Sequence, residues 1–115
     1  MTLRISVLCI GLAFATSAIA STPAGSVAAG KNKSGVCGAC HGTDGNKTLD
    51  GTYPKLAGQY PDYLSKALHE YKSGKRKNAI MGGQAANLSD QDIADLTVYF
   101  GSLDGSVHDL SGHNR

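Results

Sequence analysis

Tryptophan is absent from the 115 residues and phenylalanine occurs only twice, so even with five tyrosines the supply of large side chains for a core is thin. A dominant charge is lacking as well. The chain carries a net charge of +2 with 17% charged residues, which excludes both a disordered polyelectrolyte and a strongly basic nucleic-acid binder. Cysteine is scarce and odd in number, at three, so a simple disulfide framework is not the first reading. Beyond the first 20 residues no apolar run approaches the ~20 residues needed to cross a bilayer, which leaves no stable membrane insertion. There is no internal repeat and no strand-like alternation. What is plentiful is glycine, 15 residues in a chain long enough for one domain.

The N-terminus reads as an export signal. Arg4 supplies a positive start, Ile5 to Ala15 is almost wholly apolar, and Ala18-Ile19-Ala20 is an A-x-A cleavage site. The expected division is a secretory signal peptide at 1–20 and a single domain at 21–115. Cleavage removes Cys9 and Met1. The exported chain then holds Cys37 and Cys40 as its only thiols and Met81 as its only methionine. Its expected location is the periplasm, as a soluble protein.

The rest reads as all-α with long loops. Val27 to Val36 is a weak helix, because glycine at 30 and 35 costs about 1 kcal/mol each relative to alanine. Residues 42–58 are rich in Gly, Asp, Asn and Thr and read as loop. Pro61 suits a first helical turn; Leu64, Leu68 and Tyr71 then form one apolar stripe, and Gly74 stops the helix. Asn78 to Asn87 reads as a flexible loop that contains Met81. Ser89 is an N-cap with Asp92 three residues on, and Ile93, Leu96, Phe100 and Leu103 follow on one face.

Cys37-Gly38-Ala39-Cys40-His41 is a C-x-x-C-H sequence, the attachment signature of a c-type haem. Residues three apart share a helix face, so both thiols can reach the two vinyl groups of one porphyrin and form two thioethers. His41 then places an imidazole nitrogen on the iron. A thioredoxin-like pair lacks its βαβ context here, and a zinc site lacks two further ligands at suitable spacing. One covalent haem c also answers the shortage of aromatic core, because the ring itself is a large apolar body. Met81, alone in a polar glycine-rich segment, is the candidate sixth ligand, and its soft thioether favours reduced iron. His69 is the alternative.

The chain resembles the class I c-type cytochromes, specifically small bacterial ones, over about residues 24 to 103. Cys37 to Gly42 resembles the haem-binding end of that family's first helix, and Tyr53-Pro54-Lys55-Leu56-Ala57-Gly58-Gln59 its proline loop. The resemblance implies a small cytochrome c fold of three to four helices wrapped around one haem. It implies that the Pro54 carbonyl accepts a hydrogen bond from His41, that Leu56 packs on the haem and that Met81 is the distal ligand. It also implies that Leu96 and Tyr99 cross the first helix near Gly30. The segment from Leu88 to Leu103 is similar to the two-haem bacterial cytochromes, of which this chain, with one C-x-x-C-H, corresponds to one half.

A monohaem one-electron carrier that docks transiently to redox protein partners is therefore expected, and not an enzyme by itself. The alternatives are the cytochrome subunit of a periplasmic dehydrogenase, for example one acting on sulfide, and a haem sensor or peroxidase with a labile sixth ligand. Lys72, Lys75, Arg76 and Lys77 are the expected docking cations, and Asp90, Asp92 and Asp95 an opposing acidic group.

Overall fold

A computed structural model of the chain describes residues 21–105 and Val107. The expected signal peptide at 1–20, with Met1, Cys9 and the A-x-A site, lies outside the described residues, as do His108 and His113. Five helices are described: α1 (Val27–Lys33), α2 (Gly35–His41), α3 (Pro61–Lys72), α4 (Ala79–Ala85) and α5 (Asp90–Ser102). Among the described residues there is no strand, and no helix is long and apolar enough to cross a membrane.

The all-α expectation holds, with five short helices where three to four were expected. The first difference lies at Ser34, which ends α1 and starts α2, so the weak N-terminal helix is broken in two. The second is α4. The residues around Met81 form a helix, not a loop, because the Asn78 side chain accepts the Met81 N–H at 2.9 Å and so starts a turn that the glycines alone would not favour.

α3 and α5 form where their sequences say. Pro61 opens α3, and Gly74, at φ +73°, follows its end. Ser89 and Asp92 make a reciprocal capping box at the start of α5. α5 is the central element, packed on α1 and α3, while α3 also carries α4. Leu64, Leu96, Tyr99 and Phe100 form the core cluster, and Cys37, Leu56, Leu88 and Leu103 pack against it. Among the described residues Ile93 is the one large side chain that is fully buried, so the protein core is small.

α1 lies on α5 through two devices. At Gly30 the helices touch so closely that a β-carbon would stand 2.1 Å from the Asp95 carbonyl oxygen and 2.6 Å from the Tyr99 β-carbon. Tyr99 is thus at the crossing as expected, but its second partner is the Asp95 backbone, and Leu96 instead faces the core and the cavity beside it. Beside the crossing, Lys33 Nζ lies 2.6 Å from Asp92 and 2.7 Å from Asp95. The Asp95 carboxylate, only 2% exposed, also accepts from the Ser26 N–H and the Gln91 amide. Two of the three acids expected to form a surface patch are therefore bound to Lys33, and Asp90 lies 3.5 Å from His69.

The clamp sets an acid limit. The Lys33 ammonium, with Ser89 at Asp92 and with Ser26 and Gln91 at Asp95, holds both carboxyls below the usual carboxylate range. A depressed folded pKa contributes stability that is present in full above the unfolded value of about 3.9 and is lost as pH falls through the folded one. Lys33→Met should therefore melt below wild type at pH 7, with the gap closing as pH falls below about 3.9. Thermal melts of both proteins between pH 7 and pH 2 check this; a gap independent of pH would remove the clamp from the account.

Candidate functional site

Between α2, α3 and α4 lies a cavity of about 460 Å³. Among the described residues the backbone of α2 approaches no helix but α1, so the C-x-x-C-H segment stands off from α3 and α4 with the cavity in between. Its wall includes Cys37, Cys40, His41, Pro54, Leu56 and Met81, which brings all six sequence-predicted residues to one space. Leu64, Ala67, Leu68, Leu88, Leu96 and Phe100 add to the apolar lining. A second depression, about 630 Å³, lies along residues 21–25, α3 and α5. It holds neither a thiol nor a methionine, so the chemistry belongs to the first.

His41 ends α2 and is 6% exposed. Its Nδ1 lies 2.7 Å from the Pro54 carbonyl oxygen. A carbonyl can only accept, so Nδ1 carries a proton and Nε2 is the nitrogen left for a metal. This hydrogen bond fixes both tautomer and ring orientation, which is how a metal-binding imidazole is held ready. The Tyr53 ring stands edge-on to the imidazole, centroids 6.2 Å apart. Sequence reasoning quoted Tyr53 within the proline loop without giving it this place.

The two thiols are free of one another and both part-buried. Burial pushes the Cys37 thiol up from its ordinary value. A catalytic redox dithiol needs the opposite shift, toward thiolate, so the environment disfavours that reading. Leu56 packs on the core cluster, and its N–H donates to Gly45 O at 2.9 Å, which ties the proline loop to the turn that follows α2. Met81 sits in the first turn of α4 with its side chain on the cavity wall.

His69 does not reach the cavity. Its Nδ1 donates to Ser65 O at 2.8 Å, its Nε2 lies 3.5 Å from Asp90, and it is exposed on the outer face of α3. That leaves Met81, beside His41, as the second candidate axial donor on the cavity wall. Residues absent from the sequence-level list also line it, among them Val36, Tyr63, Tyr71, Arg76, Ile80 and Gln84. The stripe on α3 pointed to Tyr71, but nothing in the sequence tied Arg76 to it.

The lining passes a direct test for a c-type haem. It offers two thiols three residues apart, an imidazole with a free Nε2, a thioether on a separate helix, and an apolar remainder around a core too small without a guest. A zinc ion would need four compact ligands, and no group of three or more His, Cys, Asp or Glu is assembled among the described residues.

The comparisons with known proteins agree with that chemistry. The family model for Cytochrome c matches residues 27–104. The chain is 54% identical over 84 residues to a cytochrome c4 of Pseudomonas aeruginosa, covering 73% of this chain and 41% of that protein. It is 35% identical over 104 residues to the cytochrome subunit of sulfide dehydrogenase of Chlorobaculum tepidum, covering 88% of this chain and 93% of that one. The crystal structure of reduced recombinant cytochrome c4 from Pseudomonas stutzeri superposes with a TM-score of 0.67 at 46% identity, over 73% of this chain and 48% of that one. The chain thus covers less than half of each of these two cytochrome c4 proteins.

Proposed function

The chain belongs to the cytochrome c family, with haem c as its cofactor, and from that premise we propose that it is a periplasmic one-electron carrier with His41 and Met81 as axial ligands. The observation that carries the proposal is the shared cavity wall. Both thiols, a pinned imidazole and a thioether, all from this chain, surround one space. When bound, the haem supplies a ferric/ferrous couple at one iron. Cys37 and Cys40 would hold it through thioethers. Pro54 keeps His41 oriented, and the apolar wall excludes water. With His41 and Met81 both as donors, no position would be left for a substrate, so the chain's work would be to orient the ring, set its potential and present a surface.

The export signal read at 1–20 supports work outside the cytoplasm, and N-terminal sequencing of the exported protein should then begin at Ser21. A role in a respiratory chain fits that location. A potentiometric titration should give a single one-electron wave, with no turnover of small substrates by the chain alone. Rapid, tight cyanide binding to the ferric protein would point instead to an open sixth position.

One observation favours a second reading, as the electron-accepting subunit of a larger dehydrogenase: the 35% identity to a sulfide dehydrogenase subunit over nearly that whole protein. Purification from the native cell at low salt separates the two, since a subunit should elute with a larger protein and a free carrier alone.

Docking cations can now be narrowed. Lys72 Nζ donates to Leu88 O and Arg76 lies against Glu70 and two tyrosines, which leaves Lys75 and Lys77 as the exposed pair before α4. Reversing both to Glu should slow electron exchange with an acidic partner at low salt, converging with wild type at high salt. Equal rates at both salts would leave them as ordinary solvated side chains.

A further inference from the structure

α4 has little of its own to hold it. Its seven residues include Gly82 and Gly83, and only Ala85 is buried. A helix so short is marginal alone, and glycine is among the poorest helix formers. Its local support is the Asn78 cap. Yet Met81 must stay on the cavity wall if its sulfur is to be a dependable donor.

Two ties flank the segment, and both run to α3. On the N-terminal side the Arg76 N–H donates to Glu70 O at 3.0 Å, and its Nε lies 3.5 Å from Glu70 Oε2. Its guanidinium carbon stands 5.4 Å from the Tyr71 ring centre and 5.8 Å from that of Tyr63. Arg76 is half-buried between exposed Lys75 and Lys77. On the C-terminal side Lys72 Nζ donates to Leu88 O at 2.5 Å and lies 3.9 Å from Asp90. Tyr63, Glu70, Tyr71 and Lys72 all belong to α3, and Met81 lies between the two tied points, 76 and 88. Arg76, Tyr63, Tyr71 and Leu88 line the same cavity as Met81.

We infer that α3 brackets the Met81 segment, with Arg76 and Lys72 as positioning residues that hold α4 closed and so set how readily an outside ligand displaces the methionine. The consequence for ligand exchange rests on the reading of Met81 as the sixth ligand; the bracket itself does not. Segments with few buried contacts open as local units, and the ties at their ends set how often they do so. Lysine cannot replace Arg76 in full, because the planar guanidinium both stacks on rings and pairs with a carboxylate.

The test uses the haem-loaded chain with Arg76→Gln, Arg76→Lys, Lys72→Met and, as a control for general destabilisation, Asp95→Asn in the α1–α5 clamp. Two rates are read: amide hydrogen exchange at Gly82 and Gly83 against Leu96 and Phe100, and displacement of the sixth ligand of the ferric protein by imidazole. Arg76→Gln and Lys72→Met should each speed both rates at least tenfold at α4 and leave the α5 amides unchanged. Arg76→Lys should fall between them and wild type. Asp95→Asn should lower the melting temperature and leave α4 exchange as it was. Wild-type exchange at Gly82 and Gly83 in both Arg76→Gln and Lys72→Met would overturn the bracket, as would an equal acceleration in Asp95→Asn. If Met81→Ala leaves the ferric spectrum unchanged, the ligand reading fails by itself, and the exchange rates still decide the bracket.

Discussion

The double variant Cys37→Ala/Cys40→Ala should be recovered without covalent haem and largely unfolded. Among the described residues one large side chain is fully buried and four form the core cluster, beside a cavity of about 460 Å³ lined mainly by apolar groups. A domain of this size buries only a modest fraction of its surface, and one with so few large side chains falls short of the rest. Covalent attachment keeps the ring in place of that missing core. Loss of both thioethers leaves His41 and Met81 as the remaining attachments, and neither restrains the ring once the chain opens. Each single variant should keep at most one thioether and give a lower yield of loaded protein. Denaturing gel filtration followed by haem absorbance reads the covalent fraction, and circular dichroism reads the helix content. Full covalent haem in the double variant would remove the thiols from the site.

Gly30→Val should be nearly as damaging, by a different route. The β-carbon would stand 2.1 Å from the Asp95 carbonyl oxygen and 2.6 Å from the Tyr99 β-carbon, both on a buried stretch of α5. Neither neighbour is the free end of a flexible side chain, so the helices must separate. Separation also strains Lys33 against Asp92 and Asp95 and the Ser26 N–H against Asp95. Overpacking of this kind costs about 3 kcal/mol, which for a domain of this length lowers the melting temperature by roughly 12 °C or more. The haem spectrum of the folded fraction should be unchanged, because Gly30 is not on the cavity wall. A melt equal to wild type would mean that α1 and α5 do not cross at this position.

The elements that the sequence announced are those whose signals are local. Pro61, the Leu64–Leu68–Tyr71 stripe and Gly74 mark α3, and Ser89 with Asp92 marks α5, because caps and helical periodicity act within a few residues. α4 was hidden because Gly82 and Gly83 argue against helix, while its support comes from Asn78 and from α3. The break at Ser34 was hidden for a related reason: the N-terminal segment is weak throughout, so composition does not show where it divides. The acidic residues of α5 were misjudged as a surface group because Lys33 is 59 to 62 positions away in sequence. That these six residues share one cavity wall was legible, because C-x-x-C-H is a compact motif, Met81 is the one methionine after Met1, and the resemblance supplied Pro54 and Leu56. Tyr53 against His41 and Arg76 between two tyrosines were not, since both depend on how loops fold back on helices.

The most direct test of the central claim is the ferric absorption spectrum and midpoint potential of Met81→Ala beside wild type. Wild type should be low-spin, with the methionine-to-iron charge-transfer absorption, and should not take up cyanide readily. In Met81→Ala that absorption should vanish. The ferric form should turn high-spin or recruit another ligand, and the potential should fall, because a soft donor that favoured reduced iron has been removed. An unchanged spectrum and potential in Met81→Ala would contradict the account, since the sixth position would then be held by another group or left open.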